Sequence, residues 1–451
     1  MALMRMTSGN IPRQLAAYAV PLVLGNLFQL TYNVVDSAIV GRFIGKEALA
    51  AVGTASPVMN LLILGVSGLC IGASVIMSEA FGARDDGKVR REMATVSVFG
   101  FWFSAVCAAL GTLLAVPLLR LLQTPDEVLG LTASYLRVVF WGTPFTFFYN
   151  AVASALKSVG DSKTPLRFLA FASVLNACLD LVFIGLLGFG VICSAATTVI
   201  AEAVSAILCI VYVYKNIPVL ALEPREFRMD RPLLGLTLRY GGVTALQQAC
   251  QPVGKLFIQG AINSLGVDAM AAFNAVTRVD DYAFTPEQSI ASAITTFTAQ
   301  NRGAGETKRM FRGFRVGLAL ETGYWVCVCA ATLALREPLM HLFIGASEPE
   351  VTAAGCEYLG VMAFLYLMPA FTNGIQGFFR GAGDMGVTLW NTFLQISLRA
   401  VFVWVLTPRV GLVGAAWACA VGWGAMLAFQ IPYYFVRRRV YAARAQSKEH
   451  A

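Results

Sequence analysis

From Leu15 to Val40 the chain reads LAAYAVPLVLGNLFQLTYNVVDSAIV, a run with a single charged side chain, Asp36. At about 1.5 Å per residue, a helix of that length crosses the roughly 30 Å hydrocarbon core of a bilayer. Lipid offers the backbone no hydrogen-bonding partner, so a run of this kind is confined to a helix that satisfies its own N–H and C=O groups. The pattern recurs to give twelve expected spans, near 14–41, 48–79, 92–116, 128–153, 164–187, 190–214, 233–263, 268–300, 311–335, 350–378, 386–408 and 411–436. Composition agrees. With 57% hydrophobic and 13% charged residues and a mean hydropathy of +0.67, the chain reads as an all-α polytopic membrane protein. The first span is too long for the apolar core of a signal peptide, so no cleavable leader is expected.

The net charge of +8 would suit a nucleic-acid binder, but its distribution argues otherwise. Arg5 and Arg13, the cluster from Arg84 to Arg91, the central stretch from Lys215 to Arg239, the run from Arg302 to Arg315 and the tail Arg437–Arg439 all fall on one side of the predicted membrane. The other side holds Arg42, Lys46, Arg120, Arg336 and Arg409. By the positive-inside rule both termini are expected in the cytoplasm, and no nucleic acid is needed to explain the charge. The ten cysteines lie almost wholly within apolar spans and read as small packing residues. His341 and His450 are isolated, so neither a cofactor nor a His/Cys metal site is expected.

The chain repeats itself. GARDDGKVRR at 82–91 returns as GAGETKRMFR at 303–312, and KSVGD at 157–161 as RGAGD at 380–384. SYLRVV at 134–139 meets EYLGVM at 357–362, and GVICSAA at 190–196 meets GLVGAAW at 411–417. These matches keep spacings of 221 or 223 over the whole length, so the expected plan is a six-helix N-terminal lobe (1–214), a cytoplasmic linker (215–232), a six-helix C-terminal lobe (233–436) and a basic tail (437–451). An even number of spans per copy gives both copies the same orientation, a parallel repeat suited to alternating access through a central cleft. No Walker A sequence is present, and GAGDMG at 381–386 falls between helices with no preceding strand, so it reads as a turn. Without an ATP site, an ion gradient is the expected energy source and no ATPase subunit is required.

Ionisable groups inside a bilayer are costly and mark ion or substrate paths. Asp36 on the first span, Asp180 on the fifth and Thr198 on the sixth fall at one depth in the outer half of the first lobe. Asn176 is one turn from Asp180, and Glu202 one turn from Thr198. Such oxygens can coordinate Na⁺, or two acids can share a proton. The alternative is that they only tie helices together.

Pro21 and Asp36 in the first span, the fifth-span Asn176-x-x-x-Asp180, the sixth-span Thr198, the QNRGAG stretch at 300–305 and the duplicated twelve-span plan together resemble the multidrug and toxic compound extrusion (MATE) family, in its DinF-like branch. The resemblance implies a cation-coupled antiporter of the bacterial cytoplasmic membrane, not an enzyme. It implies that Asp36, Asn176, Asp180 and Thr198 bind Na⁺ or H⁺ and that Pro21 is where the first helix bends. It also implies a small-molecule substrate, lipophilic or cationic. The second lobe departs from the family's other, NorM-like branch, which carries acids on spans seven and ten. Here Lys255 is read opposite Asp36, and Arg399 stands opposite Asn176, while span eight carries Arg278, Asp280, Asp281 and Glu287. These charges either neutralise one another in a structural network or meet substrate or protons. The basic pair also leaves open a second function, a flippase for lipid-linked oligosaccharide or peptidoglycan precursors. The aromatic run of Phe140, Trp141, Phe145, Phe147, Phe148 and Tyr149 is expected to serve packing and lipid contact, and the pairs Gly68/Gly72 and Gly377/Gly381 close helix contact.

Overall fold

A computed structural model describes residues 4–43, 46–344 and 348–449, with side chains placed for 4–33, 51–344 and 348–441. The N-terminal repeat runs α1 (Ile11–Phe43), α2 (Lys46–Gly82), α3 (Asp86–Leu121), α4 (Asp126–Ser158), α5 (Lys163–Asp180) with a π-helical turn over Leu181–Leu186, and α6 (Val191–Asn216). The C-terminal repeat runs α7 (Arg231–Asn263), α8 (Val267–Gly303), α9 (Thr307–Phe343), α10 (Pro349–Leu365), α11 (Leu367–Gly381), α12 (Met385–Val410) and α13 (Val413–Glu449). α10 and α11 form one span bent by 43°. Pro369 explains the break: it has no N–H to offer the Leu365 carbonyl, and its ring crowds that turn.

Counted this way, the helices make twelve passes in two sets of six. By length and apolar composition alone, eight of the described helices qualify as spans, or nine with the bent pair. The remainder, α4, α7 and α8, hold Arg137, Lys255 and the Arg278–Glu287 charges.

The duplication reaches the backbone. Arg84 (φ 62°) and Gly305 (φ 76°) occupy the same place in the two copies of the loop after the second helix, and Gly160 (φ 90°) and Gly383 (φ 83°) the same place after the fourth. All four are left-handed, so each loop turns in the same way in both copies. The 381–386 stretch is such a turn, closing α11 and opening α12.

Packing divides the chain into two compact units. One comprises residues 1–5 and 24–245, the other 6–23 and 246–451. α1 changes unit just after Pro21, which lies buried within an uninterrupted helix, and α7 changes unit near its middle.

In the second unit, residues before α1 are held by the last turn of α8 and the first turn of α9. Met6 N–H donates to Gln300 Oε1 (2.9 Å), and its carbonyl accepts from Asn301 Nδ2 (3.2 Å) and Arg309 Nε (3.0 Å). The matching place in the first unit receives the linker. Arg90 Nε donates to Glu226 (2.7 Å), Asp230 N–H to Thr95 (3.1 Å), and Thr237 to Glu92 (2.5 Å). The Arg90 guanidinium holds the Glu226 carboxyl down to about 2. Because that value lies below the ordinary 4.5, the contact's contribution is present above that pH and fades as pH falls towards 2.

Without a hydrophobic drive between helices in lipid, close packing must bring them together. Glycines supply it. A Cβ at Gly100 would overlap the Phe147 ring, and one at Gly111 the Phe140 ring, so α3 receives two aromatic side chains of α4. Those two rings are buried while Trp141 is 64% exposed, which divides the α4 aromatics between core and lipid-facing surface. A Cβ on Gly72 would lie 2.3 Å from the Gly241 nitrogen, and one on Gly68 2.4 Å from Ala245 Cα. At Gly377 and Gly381 it would meet the carbonyls of Ala291 and Thr295 at 2.4 and 2.5 Å. Gly65, one turn from Gly68, meets nothing within 4 Å. Gly72→Ala should therefore lower thermal stability by about 1–3 kcal/mol through backbone overpacking, while Gly65→Ala leaves it level or improves it. Melting curves of the two variants check this.

Candidate functional site

Asp180 is the last α-helical residue of α5 before the π turn, and it is fully buried. A π turn widens the helix by one residue and recurs where a side chain must be re-aimed. Asp180 Oδ1 accepts from the hydroxyl of Thr197 on α6. The same hydroxyl lies 2.9 Å from the Ser194 carbonyl. Asn176, one turn earlier on α5, is buried, and neither its oxygen nor its nitrogen has a hydrogen-bond partner among the described residues. A buried amide with nothing to bind costs roughly 1–3 kcal/mol, so its retention beside a buried acid points to a ligand.

Two sequence expectations change here. Thr198 does not face Asp180: its hydroxyl donates to the Ser194 carbonyl (2.9 Å) and it is half-buried. Its neighbour Thr197 takes that place. One residue rotates a helical side chain by about 100°, and the depth of a position does not reveal its face. Glu202 does not join the group either, since it accepts from Thr146 of α4. The Asp36 side chain lies outside the described residues, although its backbone belongs to α1.

In the C-terminal repeat, the expected charge network separates into parts. Lys255 Nζ pairs with Asp281 Oδ1 at 3.1 Å. Asp280, the next residue, points elsewhere and is held by two phenols of the broken span, Tyr366 at 2.6 Å to Oδ1 and Tyr358 at 3.1 Å to Oδ2. Arg278 is exposed and makes no ion pair among the described residues. Arg399 is also without an ionic partner there. Adjacent positions on α8 face different helices, which is why the charges do not merge. Reading matches across the repeat at one spacing of 223 also places Gln259, one turn past Lys255, opposite Asp36, while Arg399 stays opposite Asn176.

Glu287 lies two turns from Asp280 on the same face of α8. It is fully buried beside Asn373, with neither oxygen accepting a hydrogen bond of normal geometry. Glu321 of α9 is buried in the same condition. The two share one level: Tyr324 donates to the Ala283 carbonyl (2.9 Å), and in antiparallel helices both glutamates lie one turn to the same side of that contact. Glu321 and the two tyrosines escaped the sequence reading. Glu321 is an acid inside an apolar span, the very signal that marks Asp36. Tyr358 and Tyr366 stand eight apart, which puts two hydroxyls on one helical face.

A cavity of about 130 Å³ opens in this unit between α7, α8, α10, α12 and α13. Lys255, Asp280, Asp281 and Arg399 supply its charged lining, Gln259, Asn274 and Thr277 further polar groups, and Phe273, Phe284, Tyr358 and Trp423 its rings.

Twelve helical passes, a parallel duplication and polar groups buried at bilayer depth define a multi-pass membrane transporter. The MatE family model matches residues 21–182 and again 244–405, so the second match begins and ends 223 residues after the first. The chain belongs to the MatE family. It is similar to the probable multidrug resistance protein YoeA of Bacillus subtilis, at 30% identity over 86% of this chain and 84% of that one. Its likeness to YpnP of the same organism, also a probable multidrug resistance protein, is 30% over 93% and 92%. A solved outward-facing multidrug resistance MATE family transporter superposes with a TM-score of 0.90 at 21% identity, covering 98% and 99% of the two chains. The expected family and fold are thus confirmed, and the protein is a transporter rather than an enzyme.

Replacing Glu321 by Gln keeps its shape and removes one of two buried acids at one level. Glu321→Gln should raise thermal stability at neutral pH by roughly 1–3 kcal/mol. A melting temperature at or below that of wild type would show that the carboxyl is needed where it stands.

Proposed function

We propose that the protein exports small amphipathic organic molecules across the bacterial cytoplasmic membrane by alternating access, in exchange for inward-moving Na⁺ or H⁺. Both termini lie in the cytoplasm in this reading, as the Lys and Arg distribution requires. The observation that carries it is Asp180: fully buried, met by the Thr197 hydroxyl, one turn from the unpartnered Asn176 amide. Those oxygens, with Asp36 contributed from α1 on the strength of its depth in the sequence, make the coupling site.

The chemistry follows from Thr197. Its hydroxyl has one proton and two acceptors in reach, Asp180 and the Ser194 carbonyl. With Asp180 ionised, the proton points to Asp180. When Asp180 is protonated, its own O–H donates to Thr197, which turns its proton to Ser194. A Na⁺ ion would instead take oxygens of Asp180, Thr197 and Asn176 as ligands. Either event cancels the charge of Asp180 and changes what α5 offers to α6. Pro21 gives α1 a turn that lacks one backbone hydrogen bond, at the place where α1 changes packing unit. The bend of α1 there is the proposed mechanical response.

A flippase gains no support from the cavity. A volume of about 130 Å³ suits a small aromatic molecule and not a lipid-linked oligosaccharide.

In proteoliposomes with Na⁺ and pH gradients imposed separately, Asp180→Asn and Asp36→Asn should each abolish gradient-driven efflux. Thr197→Val should weaken coupling at least tenfold, a loss of about 1.4 kcal/mol or more, while Thr198→Val stays near wild type. Wild-type efflux by both Asp variants would sink the coupling site. Pro21→Ala should slow transport and leave ion binding nearly unchanged; equal rates would make the proline architectural only.

A further inference from the structure

The cavity of the second unit holds a clue to the charge of its occupant. Each carboxylate lining it is already engaged. Asp280 accepts one phenol on each oxygen, at 2.6 and 3.1 Å, and Asp281 pairs with Lys255 at 3.1 Å. Arg399 lies against the Cys419 thiol but meets no carboxylate among the described residues. The residue is 8% exposed, and Nε and Nη2 are buried with no acceptor among the described residues. A guanidinium presents five N–H groups in a fixed fork and remains charged, so leaving two nitrogens unmet in a low-dielectric site is expensive. The surroundings are built to admit it. A Cβ at Gly254 would come within 2.5 Å of Nη2, and one at Gly422 within 3.4 Å of the Arg399 Cβ. Glycines on α7 and α13 thus leave room for the side chain to reach the cavity wall.

The uncharged lining adds Gln259, Asn274 and Thr277 to a largely aromatic and apolar wall. Phe273 meets Tyr358 edge-on at 6.4 Å, and Phe284 meets Trp423 at 5.9 Å. A cationic occupant would meet carboxylates already engaged, by two phenols at Asp280 and by Lys255 at Asp281 Oδ1. An anionic one would complete the donor set of Arg399 and lay its ring among the aromatic side chains.

We infer that this cavity is a binding site for a small aromatic organic anion, with Arg399 as the residue that selects its charge. The inference deepens the reading of the chain as an exporter by giving its substrate class: carboxylate- or sulfonate-bearing aromatics in place of lipophilic cations. Lys255 and Asp281 form the polar edge of the site, and the Tyr358–Asp280–Tyr366 group fixes the position of its wall. Binding needs no ion gradient, so it is separable from coupling at Asp180.

The test is equilibrium binding to the full-length protein in nanodiscs of zwitterionic lipid, with no gradient. The probes are 2-naphthoate and 2-naphthylmethylammonium, which share a two-ring body and carry opposite charge. Wild type should bind the carboxylate about tenfold or more tightly than the ammonium, the scale of one charge-assisted contact. Arg399→Gln should remove that preference by weakening naphthoate alone, and Arg399→Lys should restore part of it. Thr277→Leu fills the cavity without touching its charges and should weaken naphthoate as well, which keeps the test sound if Arg399→Gln does not fold. Asp180→Asn should bind naphthoate as wild type does, so a failed coupling site would leave this result intact. Tighter ammonium binding, equal or absent binding of both probes, or naphthoate affinity unmoved by both cavity variants would overturn the inference.

Discussion

Hydrocarbon gives polar groups no water, and that one fact orders most of what this structure does. Helices answer for the backbone. Side chains answer in a humbler way: hydroxyls inside the spans return to a carbonyl one turn back, as Ser97 does to Met93, Ser104 to Gly100, Thr244 to Tyr240 and Ser289 to Thr285. Such contacts hold nothing but their own helix. Against that background the groups that do not close on themselves stand out: the Asn176 amide, Nε and Nη2 of Arg399, and the Glu287 and Glu321 carboxyls. Each has been kept at a cost, and Arg399 lies in the wall of a cavity where something other than protein can meet it.

The two repeats have solved this problem differently. In the first, an acid and an amide stand one turn apart on α5, and Thr197 of α6 attends the acid. In the second, the place of Asn176 is taken by Arg399, and that of Asp180, at the same spacing, by Val403, which is fully buried in the core cluster. The scaffold was duplicated and the chemistry was not. Where one half holds negative charge at that level, the other holds positive charge, with glycines opposite it to make room.

Much of this was legible before any coordinates. Helix count, repeat register and the depth of Asp180 follow from hydropathy and charge, because lipid enforces those patterns over whole segments. Faces are harder to read. The choice between Thr197 and Thr198 turns on one step of rotation, and an apolar span lacks the polar side that would phase it. The separation of Asp280 from Asp281 has the same origin. Partners are harder still: nothing in α8 foretells that two phenols from a span broken at Pro369 will hold Asp280. α4, α7 and α8 show the reverse case. Their charges keep them below an apolar threshold, yet the repeat required a helix at each place.

The anchoring of Met6 carries a consequence for how the protein is made. Its N–H waits for Gln300, a side chain 294 positions further along, and its carbonyl for Asn301 and Arg309. Tyr18 likewise meets Thr296 at 3.1 Å. During synthesis the opening turns of α1 therefore enter the membrane long before their lasting neighbours leave the ribosome. Until α8 and α9 arrive, residues 6–23 are a lodger without a room, and a nascent chain halted at the linker would expose that face to chaperones or proteases. Biogenesis thus closes a circle that the order of the helices leaves open.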